Sequence, residues 1–212
     1  MSEVVHNIRI RFSKQGDVRF TSHHDTMRLF ERALKRAALP VAMSEGFNPR
    51  PRLSLPMPLS VGMAGLNEVA DVRLEGWIRP EEVRSRLQAE LPEGIGINFV
   101  ETIPSNANRQ PREIAYRIPL LPGHGLTGAK IDELLQREEY VVQRRGKERS
   151  KKVEIRRFIK AVRLSEDAVL LLLAYGAEGT ARPDEVMEAL GCREGADFLK
   201  GETIRTNVNL SP

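Results

Sequence analysis

The segment Leu53–Val61 alternates Leu53, Leu55, Met57, Leu59 and Val61, and its other face includes Pro56 and Pro58. Alternation of this kind reads as a strand with one apolar face. Two prolines two residues apart remove N–H donors from the same side, so this strand belongs at a sheet edge. Its surroundings agree. Upstream, Asn7–Phe12 alternates Ile8, Ile10 and Phe12 as a strand, Lys14–Asp17 with Gly16 reads as a turn, and Val18–Phe20 reads as extended. Ser22 caps a helix over His23–Ala38, with Asp25 three residues on in a capping-box-like pattern. Met27, Phe30, Leu34 and Ala37 or Ala38 form its apolar stripe, and Pro40 follows. Downstream come a strand marked by Ala70, Val72 and Leu74, a helix opened by Pro80 with Glu81 and Glu82, and a strand marked by Ile95, Ile97 and Phe99. A split βαββαβ unit puts its second strand at a sheet edge, where the prolines demand it.

After the polar, proline-bracketed Pro104–Pro111 the order starts again. Ile114, Tyr116, Ile118 and Leu120 alternate as a strand, and a helix over Thr127–Arg137 presents Ile131, Leu134 and Leu135. Tyr140–Val142 is extended, and Val153–Leu164 does not resolve into one element. Val169–Ala174 is a continuous apolar strand, Pro183 opens a helix that ends before Gly191, and Ile204, Val208 and Leu210 alternate at the end. The expected fold is therefore α+β, a tandem of two ferredoxin-like (βαββαβ) domains with antiparallel sheets. The first spans residues 1–103, a linker 104–112, and the second 113–212.

Charge separates the chain further. The total of +4 over 212 residues is a sum of opposite parts. Between Gln143 and Arg163 stand ten basic residues against Glu148 and Glu154, a local +8, which leaves 23 basic and 27 acidic residues elsewhere, or −4. Such a stretch suits contact with a polyanion, and its plainer reading is a solvated loop. One cysteine, Cys192, excludes a disulfide framework, a cysteine-based zinc site and an iron–sulfur cluster held by this chain's own thiolates. No apolar run reaches the roughly 20 residues that span a bilayer, and no secretory leader is visible, so a reduced cytoplasmic setting without membrane contact is expected.

The densest polar constellation is Arg19, Ser22, His23, His24 and Asp25, followed by Ser44–Arg52. A helix N-terminus attracts anions and arginines add bidentate phosphate donors. Folding of the Gly46–Arg52 loop beside the start of the first helix would build an anion site from Arg19, His23, Asn48, Arg50 and Arg52. His23 falls on the apolar stripe and reads first as a core-capping residue; His24 falls on the exposed face. The basic segment adds Arg144, Arg145, Lys151, Lys152, Arg156 and Arg157 as candidate RNA contacts. No metal set, Walker loop or dinucleotide fingerprint is present, and Cys192 reads as a buried thiol; no cofactor is expected.

The run Arg11–Asp25 (Arg-Phe-Ser-Lys-Gln-Gly-Asp-Val-Arg-Phe-Thr-Ser-His-His-Asp), with Glu31–Ala37 and Ser44–Ser54, resembles the radical SAM-linked domain family, a family of unknown function. Arg182–Glu185 and Ile204–Thr206 extend the likeness. His24 stands where that family has leucine and Arg157 where it has proline, so the likeness assigns no shared role to His24. It implies a radical SAM protein as partner and an RNA-modification or ribosome-related setting. Such an enzyme needs three cysteines for its cluster, so this chain is expected to be an RNA-binding accessory or substrate-recruiting component rather than the catalyst. The alternatives are a metal-independent endoribonuclease like the CRISPR repeat-processing enzymes, with His23 as general acid or base, and a protein-interaction module docking through the edge strand or basic face.

Overall fold

A computed structural model describes residues 5–107, 110–145 and 150–210. The chain divides into two units, Met1–Gln110 with Leu210–Pro212 and Pro111–Asn209. In the first, strand β1 (Val5–Lys14) leads to helix α1 (His23–Arg36), then β2 (Leu53–Ser54), β3 (Ala64–Glu75), α2 (Pro80–Gln88) and β4 (Ile95–Ile103). The strands lie in the order β4-β1-β3-β2, with β1 antiparallel to both neighbours and β2 antiparallel to β3. Ile8, Ile10 and Phe12 from β1 and Ala70, Val72 and Leu74 from β3 bury one sheet face under Phe30, Ala33 and Leu34 of α1 and Val83 and Leu87 of α2. Phe12 and Phe30 meet edge to face at 4.8 Å, which fixes α1 over the centre of the sheet.

Three local expectations change. The edge strand is two residues long rather than nine: beyond Ser54 the chain bends, because Pro56 and Pro58 cannot donate to a ladder. Val18–Phe20 is not extended but completes a 3-10 turn over Gly16–Phe20, closed by Thr21 N–H on the Val18 carbonyl and by the Lys14 ammonium on the Thr21 carbonyl at 2.8 Å. Phe99 leaves the core and is 45% exposed. The register explains it: Arg11 faces Phe99 while Phe12 faces Ile97, so Asn98 is an extra residue. A bulge of this kind flips the alternation, and Phe99 turns to the face opposite Ile97.

On that face Arg9 and Asp71 sit opposite each other in the β1–β3 register. The guanidinium donates from Nε at 2.8 Å and Nη2 at 3.0 Å to the two carboxylate oxygens.

The second unit runs β5 (Pro111–Pro119), α3 (Gly128–Gln136), β6 (Val141–Arg145), β7 (Ser150–Glu154), β8 (Ile159–Leu164), β9 (Ala168–Ala174), α4 (Pro183–Ala189) and β10 (Ile204–Leu210). Its sheet order is β10-β5-β9-β8, and β6 and β7 pair as a separate antiparallel hairpin. Ile114, Ile118, Val169, Leu171 and Leu173 of its strands and Ile131, Leu134, Val186 and Met187 of its helices are all buried. Strand β5 begins inside the stretch read as linker, and Asn108 and Arg109 of that stretch lie outside the described residues. Val153–Leu164 resolves into the end of β7, a 3-10 turn over Arg156–Phe158, and β8.

Candidate nucleic-acid interface

Helix α1 starts as its residues require. The Ser22 hydroxyl accepts from the Asp25 N–H at 3.2 Å and donates to the Asp25 carboxylate at 2.6 Å. The Ser22 hydroxyl and backbone hold that carboxyl below the usual range, with nearby Arg28 and His24 adding to the effect. The cap therefore contains its own anion. His24 is exposed, and His23 turns inward with its ring 5.8 Å from that of His24.

His23 lines a cavity of about 10 Å³ with Phe12, Lys14, Thr26, Leu55, Met57, Leu59 and Glu68. Lys14 and Glu68 are both buried charges that the periodic reading of β1 and β3 passes over. Glu68 folds back over Gly65, where a Cβ would collide with the carboxylate. Burial pushes the His23 imidazole below its ordinary pKa, and the charges of His24 and Lys14 push the same way. Desolvation thus leads, rather than the helix terminus. A lowered folded-state value means that the unfolded chain binds more protons below about pH 6.5, so stability falls as pH drops through that value. His23→Gln is expected to flatten this part of the curve. Urea melts of both proteins between about pH 7 and 5 check it: parallel curves would show that His23 does not titrate differently on folding.

The loop Ser44–Arg52 does not reach the start of α1. Its base, Met43, Pro49 and Pro51, borders the second half of the helix at Glu31, Arg32, Leu34 and Lys35, across a groove of about 420 Å³. The short β2 explains the displacement, since Leu55, Met57 and Leu59 occupy the space beside His23 instead. Asn48 and Arg50 are exposed at the loop, and Arg52 donates from Nε to the Met43 carbonyl at 3.2 Å and faces Glu45 at 3.5 Å. The Arg19 guanidinium lies 4.9 Å over the Phe20 ring. Arg19, His23 and the loop arginines are therefore set along different parts of the helix rather than around one point.

A row absent from the expected set occupies the solvent side of α1. Arg28, Arg32 and Arg36 recur every four residues and are all exposed. Four residues advance about 6 Å along a helix, so the three guanidinium stems rise in line. They border an open groove of about 630 Å³ with Thr21, Asp25, Leu29 and the Ala89–Pro92 turn. Arg36 anchors one end through Nε on Glu90 Oε2 at 2.8 Å, and Arg28 stands 3.9 Å from Asp25. Arg32 has no ion pair or hydrogen bond to a described residue. The spacing was there to be read, but counting charge along the chain directs attention to 143–163 instead.

That basic segment is largely a hairpin. The Arg144 guanidinium donates from Nε and Nη2 to both oxygens of Glu185 at 2.6 Å and to the Thr180 carbonyl at 3.0 Å, so it ties β6 to α4 rather than facing solvent. Glu185 holds the Arg144 guanidinium above its ordinary pKa. Arg156 donates to the carbonyls of Leu135, at the end of α3, and Ile159. Arg157 pairs with Glu178 and lies 4.8 Å over the Phe158 ring. Lys151 and Lys152 are exposed on β7 without a partner among the described residues. The side chain of Arg145, and Lys147 and Arg149, lie outside the described residues. Burial pushes the Glu154 carboxyl up, yet the N–H groups of Tyr140, Arg157 and Arg156 outweigh it and hold the pKa low, closing the hairpin base.

A family described as "Uncharacterized protein conserved in bacteria (DUF2344)" matches residues 7–183. The chain belongs to this family. The DUF2344 match runs from the third residue of β1 through the first residue of α4, and so includes the arginine row, the loop and the hairpin. No curated protein matches the sequence. Among solved structures, a crystal structure of a Cbf5–Nop10–Gar1 complex is similar with a TM-score of 0.48 and 13% identity. That match covers 95% of this DUF2344 chain and 48% of the solved one, so the chain spans about half of that protein's length. Cys192 is buried in this DUF2344 chain, and burial raises its thiol pKa. Among the described residues no group of three or more His, Cys, Asp or Glu is placed to hold a metal ion, and no helix is long and apolar enough to cross a membrane.

Proposed function

We propose that this chain is an RNA-binding accessory component that presents a transcript to a separate radical SAM enzyme. The arginine row of α1 carries the reading. Guanidinium groups in line along an open groove suit successive phosphates of one strand, and such contacts position a nucleic acid without reading its sequence. Exposed Lys151 and Lys152 on the β6–β7 hairpin support it, as do Asn48 and Arg50 on the loop. The radical SAM partner is supported by the motif resemblance of Arg11–Asp25 and Ser44–Ser54. The single cysteine leaves any cluster to another chain. We read the two units, with strand orders β4-β1-β3-β2 and β10-β5-β9-β8, as a tandem of ferredoxin-like domains.

The alternatives have less behind them. His23 as a nuclease base would need a ribose hydroxyl within hydrogen-bond reach, and the cavity that it lines has a volume of about 10 Å³. Docking by strand addition on β2 would need a longer edge than Leu53–Ser54.

The test is binding of a short single-stranded oligoribonucleotide measured against salt. Log K should fall linearly with log salt as counterions are released. Arg28→Ala with Arg32→Ala should weaken binding at every sequence tried and reduce the slope by about 1.4, roughly 0.7 per lost phosphate contact on a single strand. An affinity that does not respond to salt, or a double variant that binds like the parent, overturns the assignment.

A further inference from the structure

We propose that Phe47 is a stacking platform for one unpaired nucleobase of the bound strand. The inference rests on the RNA reading above and adds the group that the chain would hold. Phe12, Phe30, Phe158 and Phe198 are buried, Phe99 is 45% exposed, and Phe20, 58% exposed, has the Arg19 guanidinium over its ring. Phe47 stands alone at 105% exposure, with its whole ring in water. A ring left so is a standing cost, because apolar surface gains by leaving water.

The loop that carries it is closed. Ser44 N–H donates to the Arg50 carbonyl at 2.7 Å, and Arg50 N–H returns to the Ser44 hydroxyl at 2.9 Å. A Met43–Pro51 bridge and the Arg52 bond to the Met43 carbonyl fasten the stem. Gly46 has φ +116°, a turn that a side chain resists, while Pro49 and Pro51 restrict the return limb. The ring is thus held out by backbone geometry, so little loop entropy is lost when something stacks on it.

What stacks is set by the neighbours. Glu45, Gly46 and Asn48 surround the ring in sequence and are exposed, so the tip offers one aromatic face within a polar rim. A flat, apolar-faced and polar-edged group matches that rim better than an aliphatic side chain of a protein partner. A nucleobase has both properties: its face stacks on Phe47 and its edge meets the Asn48 amide, while the exposed Arg50 guanidinium is available to its phosphate. An unpaired base is required, because a base inside a duplex has no free face.

The experiment compares oligouridylate with the same oligomer carrying abasic sites, at several salt concentrations, against the full chain. Phe47→Ala should weaken binding of the base-bearing oligomer about 10-fold or more and leave the salt slope unchanged. It should leave binding of the abasic oligomer as it was. Phe47→Trp in a Trp77→Phe background should restore affinity, and its fluorescence should be quenched on binding. Equal affinities of Phe47→Ala and the parent, or equal losses on both oligomers, would overturn the platform while the arginine-row reading stands. A parent chain that binds neither oligomer in a salt-dependent way overturns both.

Discussion

Asp71→Asn is expected to lower the stability of the first unit by about 3–5 kcal/mol. The carboxylate side chain is fully buried and that of Arg9 is 10% exposed, and the two are joined by a pair of hydrogen bonds across the β1–β3 register. An amide in its place keeps the volume but withdraws the carboxylate charge that the guanidinium meets across the register in a water-poor site. That desolvation cost, not the lost attraction alone, sets the size of the effect. The single tryptophan, Trp77, lies in this unit and reports its unfolding. The midpoint should drop by on the order of 10 °C or more. Arg9→Gln should cost a similar amount, and the two together less than the sum, since each removes the same pair. A loss below about 1 kcal/mol, the size of an exposed pair, would mean that the charges are not coupled as the geometry indicates.

Nothing in the sequence announces this pair, because 62 positions separate its members and only the register joins them. The local signals fared differently. The Ser22 cap, the α1 stripe of Phe30 and Leu34, and the proline-opened α2 and α4 are decided by neighbours within a turn or two, and they stand in the structure as read. The prolines in Leu53–Val61 told correctly that the strand is an edge and overstated its length, since alternation persists in a chain that has already left the ladder. Phe99 shows the opposite limit: a bulge at Asn98 inverts the alternation without altering its period. Of the candidate site, the loop with Asn48 and Arg50 was legible as polar and arginine-rich. Its position beside Glu31–Lys35 depends on where β2 ends, which is a tertiary matter. The run of charge at 143–163 was legible as composition. That Arg144 is spent on Glu185, 41 positions away, was not.

Gly94→Ala should cost about 2–5 kcal/mol, from strain at positive φ and from overpacking together. Gly94 has φ +89°, and a Cβ there would stand 2.5 Å from the Gln15 carbonyl oxygen and 2.8 Å from Val18 Cγ2. Its own carbonyl accepts from the Gln15 N–H at 2.8 Å, so the turn before β4 cannot retreat without losing that bond. The 3-10 turn over Gly16–Phe20 would shift with it. Gly76→Ala is the control: φ is +80° there, and nothing lies within 4 Å of the place its methyl group would take. It should show only the backbone cost of about 1–2 kcal/mol. Equal losses at the two positions in urea melts would mean that the contact with Gln15 carries no energy.

The brevity of β2 bears on how the protein behaves among copies of itself. A long exposed sheet margin is a template on which a second chain can lay a strand, and from there fibres grow. Here the margin offers ladder groups at Leu53 and Ser54, and Pro56 and Pro58 then withhold the donors that an incoming strand would need. Where β2 covers β3, at Asp71 and Val72, it is a stub too short to recruit a partner. The same prolines that end a strand early thus act as a guard against aggregation.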